Sequence, residues 1–165
     1  MSTISKHGLN LAVEVWIATA LLHREHPEET DFSIDEIVAR ATQERVAGSI
    51  RPGLYVHVVQ HCVANRAPNP ARSRILFETK PGRRRLFRKG DSYHPRRKDS
   101  KTMPKGEELP ERYIDLLGWY RSWSRENDRK TVANDPLLVL AGSGKDLWAD
   151  EPADEYIRRL REGWE

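Results

Sequence analysis

Residues 73–91 read SRILFETKPGRRRLFRKGD, and no other stretch constrains the fold as tightly. Two short apolar runs, Ile75-Leu76-Phe77 and Leu86-Phe87, flank Pro81-Gly82. Apolar β-formers bounded by Pro-Gly predict a β-hairpin with the dipeptide at its turn. Arg83, Arg84 and Arg85 follow that turn directly, and Arg88 and Lys89 lie just beyond. Clustered cations at a hairpin tip repel one another, so the tip reads as a surface for an anionic partner.

The charge distribution supports this reading. The net charge over 165 residues is only +3. Residues 1–65 hold 5 Lys/Arg against 8 Asp/Glu, and residues 106–165 hold 9 against 14. Between them, residues 66–105 hold 14 against 3, a net of +11. A single basic block carrying the hairpin is the electrostatic footprint of a polyanion binder. A solvated lysine-rich loop is the bland alternative, but arginine dominates here, and its planar fork suits phosphate.

At this length the chain suits one core with appendages. It has no apolar run long enough to span a bilayer, and MSTISKHGLN lacks the apolar stretch of a secretory signal. Cys62 is the lone cysteine, which excludes an intrachain disulfide and makes a reducing cytoplasm the expected compartment.

Three helices are predicted before the hairpin. The first runs from about Leu9 to His23, with Val13, Trp16, Ile17, Ala20 and Leu21 at helical spacing. The second opens at Ser33, where Glu36 completes a capping box and Phe32 and Ile37 are placed to pack as a staple. The third is RPGLYVHVVQHCVANR, with Pro52 in its first turn. Its apolar face is expected to be Tyr55, Val58, Val59 and Cys62, leaving His57, Gln60, His61 and Ala64 on another face.

Three helices followed by a basic hairpin is the order of a winged helix-turn-helix. The segment from about Leu9 to Arg88 resembles the winged-helix domains found beside bacterial restriction enzymes and in some chromatin factors. That resemblance implies a third helix in the major groove and a hairpin, the wing, against the backbone or minor groove of double-stranded DNA. The expected DNA contacts are then His57, Gln60, His61, Arg83, Arg84, Arg85, Arg88 and Lys89. The face His57-Gln60-His61 has no arginine, so the usual bidentate readout of guanine is missing from it.

Residues 92–109 are polar, basic and proline-punctuated, and read as a mobile linker in which Arg96, Arg97 and Lys98 add phosphate contacts. A helix is predicted over 110–126. Its stripe of Tyr113, Leu116, Leu117 and Tyr120, with Trp123 close by, suits core packing or a homodimer contact.

The segment 127–165 has another character. Gly142-Ser143-Gly144-Lys145 invites a phosphate-loop reading that fails on spacing, because Val139 and Asp146 stand where glycine and Ser/Thr are required. The stretch instead resembles the C-terminal tails of bacterial antitoxins, particularly those partnered with PIN-domain ribonucleases. The residues that carry the likeness are Leu137-Leu138, the Gly142–Lys145 run, Leu147-Trp148, Asp154-Glu155-Tyr156-Ile157 and Leu160-Arg161-Glu162-Gly163-Trp164. It implies a PIN-domain toxin as partner, with Leu147, Trp148, Tyr156, Leu160, Arg161 and Trp164 in the interface. Apolar anchors so sparse cannot form their own core, and must dock on a partner or on the parent domain. Trp, Tyr and Arg are also the usual hot-spot residues of interfaces.

His57 and His61 stand at a metal-compatible spacing of four, but Val58 occupies the position where a zincin helix has glutamate. Cys62 reads as a small core residue. Glu36 and Asp35 suit a helix start, and no catalytic constellation or cofactor motif emerges.

The expectation is thus a mainly α protein with a small β-hairpin (α+β): a winged helix-turn-helix over 1–91 with a C-terminal helical extension. It binds DNA without being an enzyme, and serves as the autoregulator and antitoxin of a toxin–antitoxin module. The alternatives are a DNA-binding accessory module of a restriction–modification system and a protein- or RNA-binding winged helix.

Overall fold

The computed structural model describes residues 9–49, 51–69 and 73–133, with isolated positions beyond. The chain divides into two units, Met1–Arg125 and Glu126–Glu165. About the first helix, α1 (Leu11–Glu25), the whole first unit is arranged. Asn10 caps it, its side chain accepting from Ala12 N–H at 3.0 Å. Every residue from Ala12 to His23 is buried, because neighbours cover the helix on all sides. Two polar members of that run are satisfied within the fold: Glu14 pairs with Arg51 at 2.7 Å, and Thr19 Oγ1 donates to the Val15 carbonyl.

The capping box forms as the sequence predicts. Glu36 N–H donates to Ser33 Oγ, and Glu36 Oε2 accepts from Ser33 N–H, at the start of α2 (Ile34–Glu44). Phe32 and Ile37 are both buried beside it. Phe32–Ser33 also forms a short strand, β1, which the sequence pattern does not predict.

The third helix departs from expectation. It is α-helical only over α3 (Leu54–Val56) and widens to a π-turn over His57–His61. Cys62 N–H accordingly donates to the His57 carbonyl, five residues back. The wider turn brings Leu54, Val58 and Cys62 inward, while Tyr55, expected in the apolar face, is 53% exposed. Ala64, expected outside, is fully buried. The helix ends early because Val63 bridges to Leu76 and Ala64 N–H donates to the Leu76 carbonyl.

The hairpin is β2 (Leu76–Lys80) and β3 (Arg83–Leu86), joined at Pro81-Gly82, where Gly82 takes φ 78°. β3 is the centre of a three-stranded antiparallel sheet in the order β1-β3-β2. Phe32 lies opposite Arg84 on one side, and Glu78 lies opposite Arg84 on the other. The outer edge of β2 is covered by the chain leaving α3. Cys62 O accepts from Leu76 N–H, and the Asn65 amide pairs with both the N–H and the carbonyl of Glu78 at 2.9 Å.

Residues 92–109 are not the mobile linker expected of them. Arg97 is fully buried, Leu109 enters the core and Met103 packs against it. The fourth helix, α4 (Asp115–Ala133), follows, and Tyr113, Leu116, Leu117 and Tyr120 are buried in the same core as α1. Trp16 and Tyr120 meet edge to face at 5.8 Å, and the Tyr120 hydroxyl donates to the Phe87 carbonyl. The core therefore extends beyond 1–91. With four helices and one small sheet among the described residues, the fold is α+β. No helix of the described residues is long and apolar enough to cross a membrane.

Candidate nucleic-acid interface

A strand alternates its side chains between two faces. In β3 that alternation turns Arg84 and Leu86 to the core and leaves Arg83 partly exposed, while Arg85 is mostly covered by its own partners. Arg84 is only 1% exposed. Its Nη1 pairs with Glu78 Oε2 at 2.7 Å, while Nε and Nη2 donate to the carbonyls of Val58 and Val59. Burial lowers its pKa, and Glu78 opposes the shift. The signal was present in the sequence: counting back from Leu86 by two places Arg84 on the Leu86 face.

The neighbouring arginines are also engaged within the chain. Arg83 holds Asp31 through Nε, and Nη2 donates to the Asp31 carbonyl. Burial pushes the Asp31 pKa up, but bonds from Thr79 and Arg83 outweigh it and hold the carboxyl below its ordinary value. Arg85 forms a bidentate pair with Asp91 at 2.6 and 2.7 Å and lies over the Phe77 ring. Arg88 lies over Trp123, 4.7 Å from the ring centroid. Lys89 is exposed.

Arg97, expected at a phosphate, is instead a plug beneath α3. Its guanidinium donates to five backbone carbonyls: Arg66, His61, Ser73, Gln60 and Ala67. Helix C-termini leave their last carbonyls without intrahelical donors. Here two guanidiniums share that task, Arg84 at residues 58 and 59 and Arg97 at residues 60 and 61. No local pattern announces Arg97, since its acceptors are backbone carbonyls of the π-turn and of the chain on both sides of residues 70–72.

The polar residues expected to read bases are likewise tied down. His57 Nδ1 is 2.9 Å from the Gly53 carbonyl, and Gln60 Nε2 donates to the Ala67 carbonyl. The His61 ring stands edge-on to His57 at 4.9 Å, with Nδ1 buried and unpaired. Burial, then the charges of His57 and Arg97, lower its pKa. What α3 shows to solvent is Tyr55 and Val56, 53% and 45% exposed, with no cation among them.

Other cations are turned outward. Lys80 by the hairpin turn, Lys89 after β3, and Arg96 and Lys98 on either side of Arg97 are exposed and form no close ion pair among the described residues. Lys80 was not among the expected contacts.

Cys62 is a buried core residue, and burial pushes its thiol up to about 12. Among the described residues no group of three or more His, Cys, Asp or Glu is placed to hold a metal ion. The expected partner-binding residues Leu147, Trp148, Tyr156, Leu160 and Trp164 lie outside the described residues, while Arg161 is exposed. The chain matches no protein-family model, no curated protein and no solved structure.

Proposed function

We propose that this chain is a double-stranded DNA-binding protein of the winged-helix type, with α3 and the β2–β3 hairpin as its duplex-facing elements. The observation that carries the reading is topological. The elements run α1-β1-α2-α3-β2-β3, and the hairpin closes on the strand between the first two helices. That order leaves one side of α3 uncovered beside a basic hairpin, as docking into a groove requires.

Of the expected cations Lys89, Arg96 and Lys98 keep their role, and Lys80 joins them. With Arg83, Arg84, Arg85 and Arg97 engaged internally, Lys80, Lys89, Arg96 and Lys98 become the phosphate-binding groups. Full-length protein is titrated against fluorescein-labelled duplex of random sequence at several salt concentrations. Replacing those four with alanine lowers the salt slope by about one unit for each phosphate no longer neutralised. Absence of salt-dependent duplex binding by the wild-type chain sinks the proposal.

The role as autoregulator and antitoxin rests on the resemblance of residues 137–164 to antitoxin tails, with a PIN-domain toxin as the partner. A protein-binding winged helix is the second reading. It is favoured by the uncharged exposed pair Tyr55 and Val56. Self-association or protein capture without duplex binding would select it.

A further inference from the structure

On the DNA-binding reading above, the exposed face of α3 also narrows what it can recognise. Discrimination of guanine needs a cationic fork, and the usual discrimination of adenine needs both ends of an amide. α3 shows no cation to solvent, and the donor end of the Gln60 amide is held by the Ala67 carbonyl. His57 faces the Gly53 carbonyl, and the His61 ring stands edge-on to His57. The most exposed side chains of the segment are Tyr55, a ring with one hydroxyl, and Val56 with its two methyls, on adjacent positions of one short helix.

The floor of the major groove offers one apolar group, the C5-methyl of thymine. An apolar pair docks in that groove only if something beside it meets the phosphates. Arg96 and Lys98 supply this, because Arg97 between them is bonded to the Gln60 and His61 carbonyls at the C-terminal end of the same helical segment. The helical segment thus carries Tyr55 and Val56 near its start, and the residue between the two exposed cations is bonded to its end.

We propose that α3 recognises thymine methyl groups in duplex DNA through Tyr55 and Val56, so that its ligand is A·T-rich duplex read by apolar contact. Base hydrogen bonding by the histidines and Gln60 contributes little to this recognition. Phosphate contacts set the affinity, and the methyls set the preference.

Uracil differs from thymine only by that methyl and keeps its hydrogen-bonding edge. The test uses the full-length chain and a random-sequence duplex pool copied with either thymidine or deoxyuridine triphosphate. Thymine duplex is expected to bind more tightly, by about fourfold per methyl contacted, the value of burying one such group. The salt slope is the same for both pools. Tyr55→Ala and Val56→Ala, both at exposed positions, reduce this preference while leaving the salt slope unchanged.

Equal affinity for the two pools, with salt-dependent binding intact, overturns the methyl proposal and leaves the DNA-binding reading standing. A preference that persists in both variants assigns it to duplex shape, and overturns the contact. If neither pool binds, both readings fall, and a protein partner for this face takes their place.

Discussion

Arg84 Nη1 and Glu78 Oε2 lie 2.7 Å apart, directly opposite each other across the hairpin and on its core side. Glu78 also holds Arg66, at 2.8 Å, so two guanidiniums share one carboxylate, and one of them is fully buried. Burying a guanidinium is tolerable only where an opposite charge or a full set of hydrogen bonds replaces water.

Removing the carboxylate therefore leaves an uncompensated buried cation. Glu78→Gln is expected to destabilise the fold by about 3 kcal/mol, the lower end of the range for breaking a buried pair. Urea denaturation followed by tryptophan fluorescence measures it. A change below about 1 kcal/mol, the usual worth of a surface ion pair, would show that water reaches Arg84.

Arg97 faces carbonyls alone, and a lysine in its place offers three donors in a different geometry. Arg97→Lys is expected to cost on the order of 3 kcal/mol, because it leaves buried acceptors unpaired. Amide exchange should quicken most at His57–Val63, the segment the plug supports. Uniform protection along the chain in the variant would deny Arg97 that local role.

His23 makes stability depend on pH. Its ring is buried, Nε2 accepts from Leu86 N–H at 3.3 Å, and Trp123 and Phe32 lie against it at 4.7 and 4.9 Å. Burial, with Arg88 and Arg85 adding to it and Asp31 opposing, lowers its pKa from 6.5 to about 3. The folded state thus keeps His23 neutral where the unfolded chain protonates it. The stabilisation is complete above pH 6.5 and is lost as pH falls toward 3. Each unit in that window costs about 1.4 kcal/mol. His23→Gln, which keeps an acceptor for Leu86, should flatten the wild-type slope between those limits. Parallel pH–stability curves for the two proteins would refute the assignment.

The extent of the core is tested by truncation. A chain ending at Asp91 lacks Arg97, Tyr113, Leu116, Leu117 and Tyr120, all buried, and is expected not to fold. A chain ending at Asn134 retains them and is expected to unfold cooperatively. Calorimetry of the two shortened chains decides it; a cooperative transition in the shorter one would confine the core to 1–91.

Local signals in the sequence carried well into the structure. Ser33 and Glu36 lie three residues apart, so the capping box is fixed by short-range geometry alone. The hairpin is equally local, with its turn chemistry at Pro81-Gly82. α3 was legible as a helix but not in its pitch. Regular spacing turned Tyr55 inward, whereas the π-turn and the bridge from Val63 to Leu76 turn it out. β1 has two residues and no period to read.

The candidate site was less legible, because composition treats every arginine as solvated. Arg84 was readable from strand alternation, and Glu78 was available opposite it. Arg97 was not, since each of its acceptors is a backbone carbonyl and any residue type supplies one. Much of the +11 block is therefore internal scaffolding. The outward charge sits on residues the arginine run itself did not single out.

The amide of Asn65 stands beside Glu78 in the place a further strand would occupy, offering one donor and one acceptor in strand-like register. An open sheet edge is a template on which other chains can add and polymerise. At this edge the backbone of residues 62–64 closes the Leu76 end, and the Asn65 side chain closes the template at Glu78. Asn65→Ala would reopen it, and such a variant would form β-rich aggregates on concentration while the native chain stays dispersed.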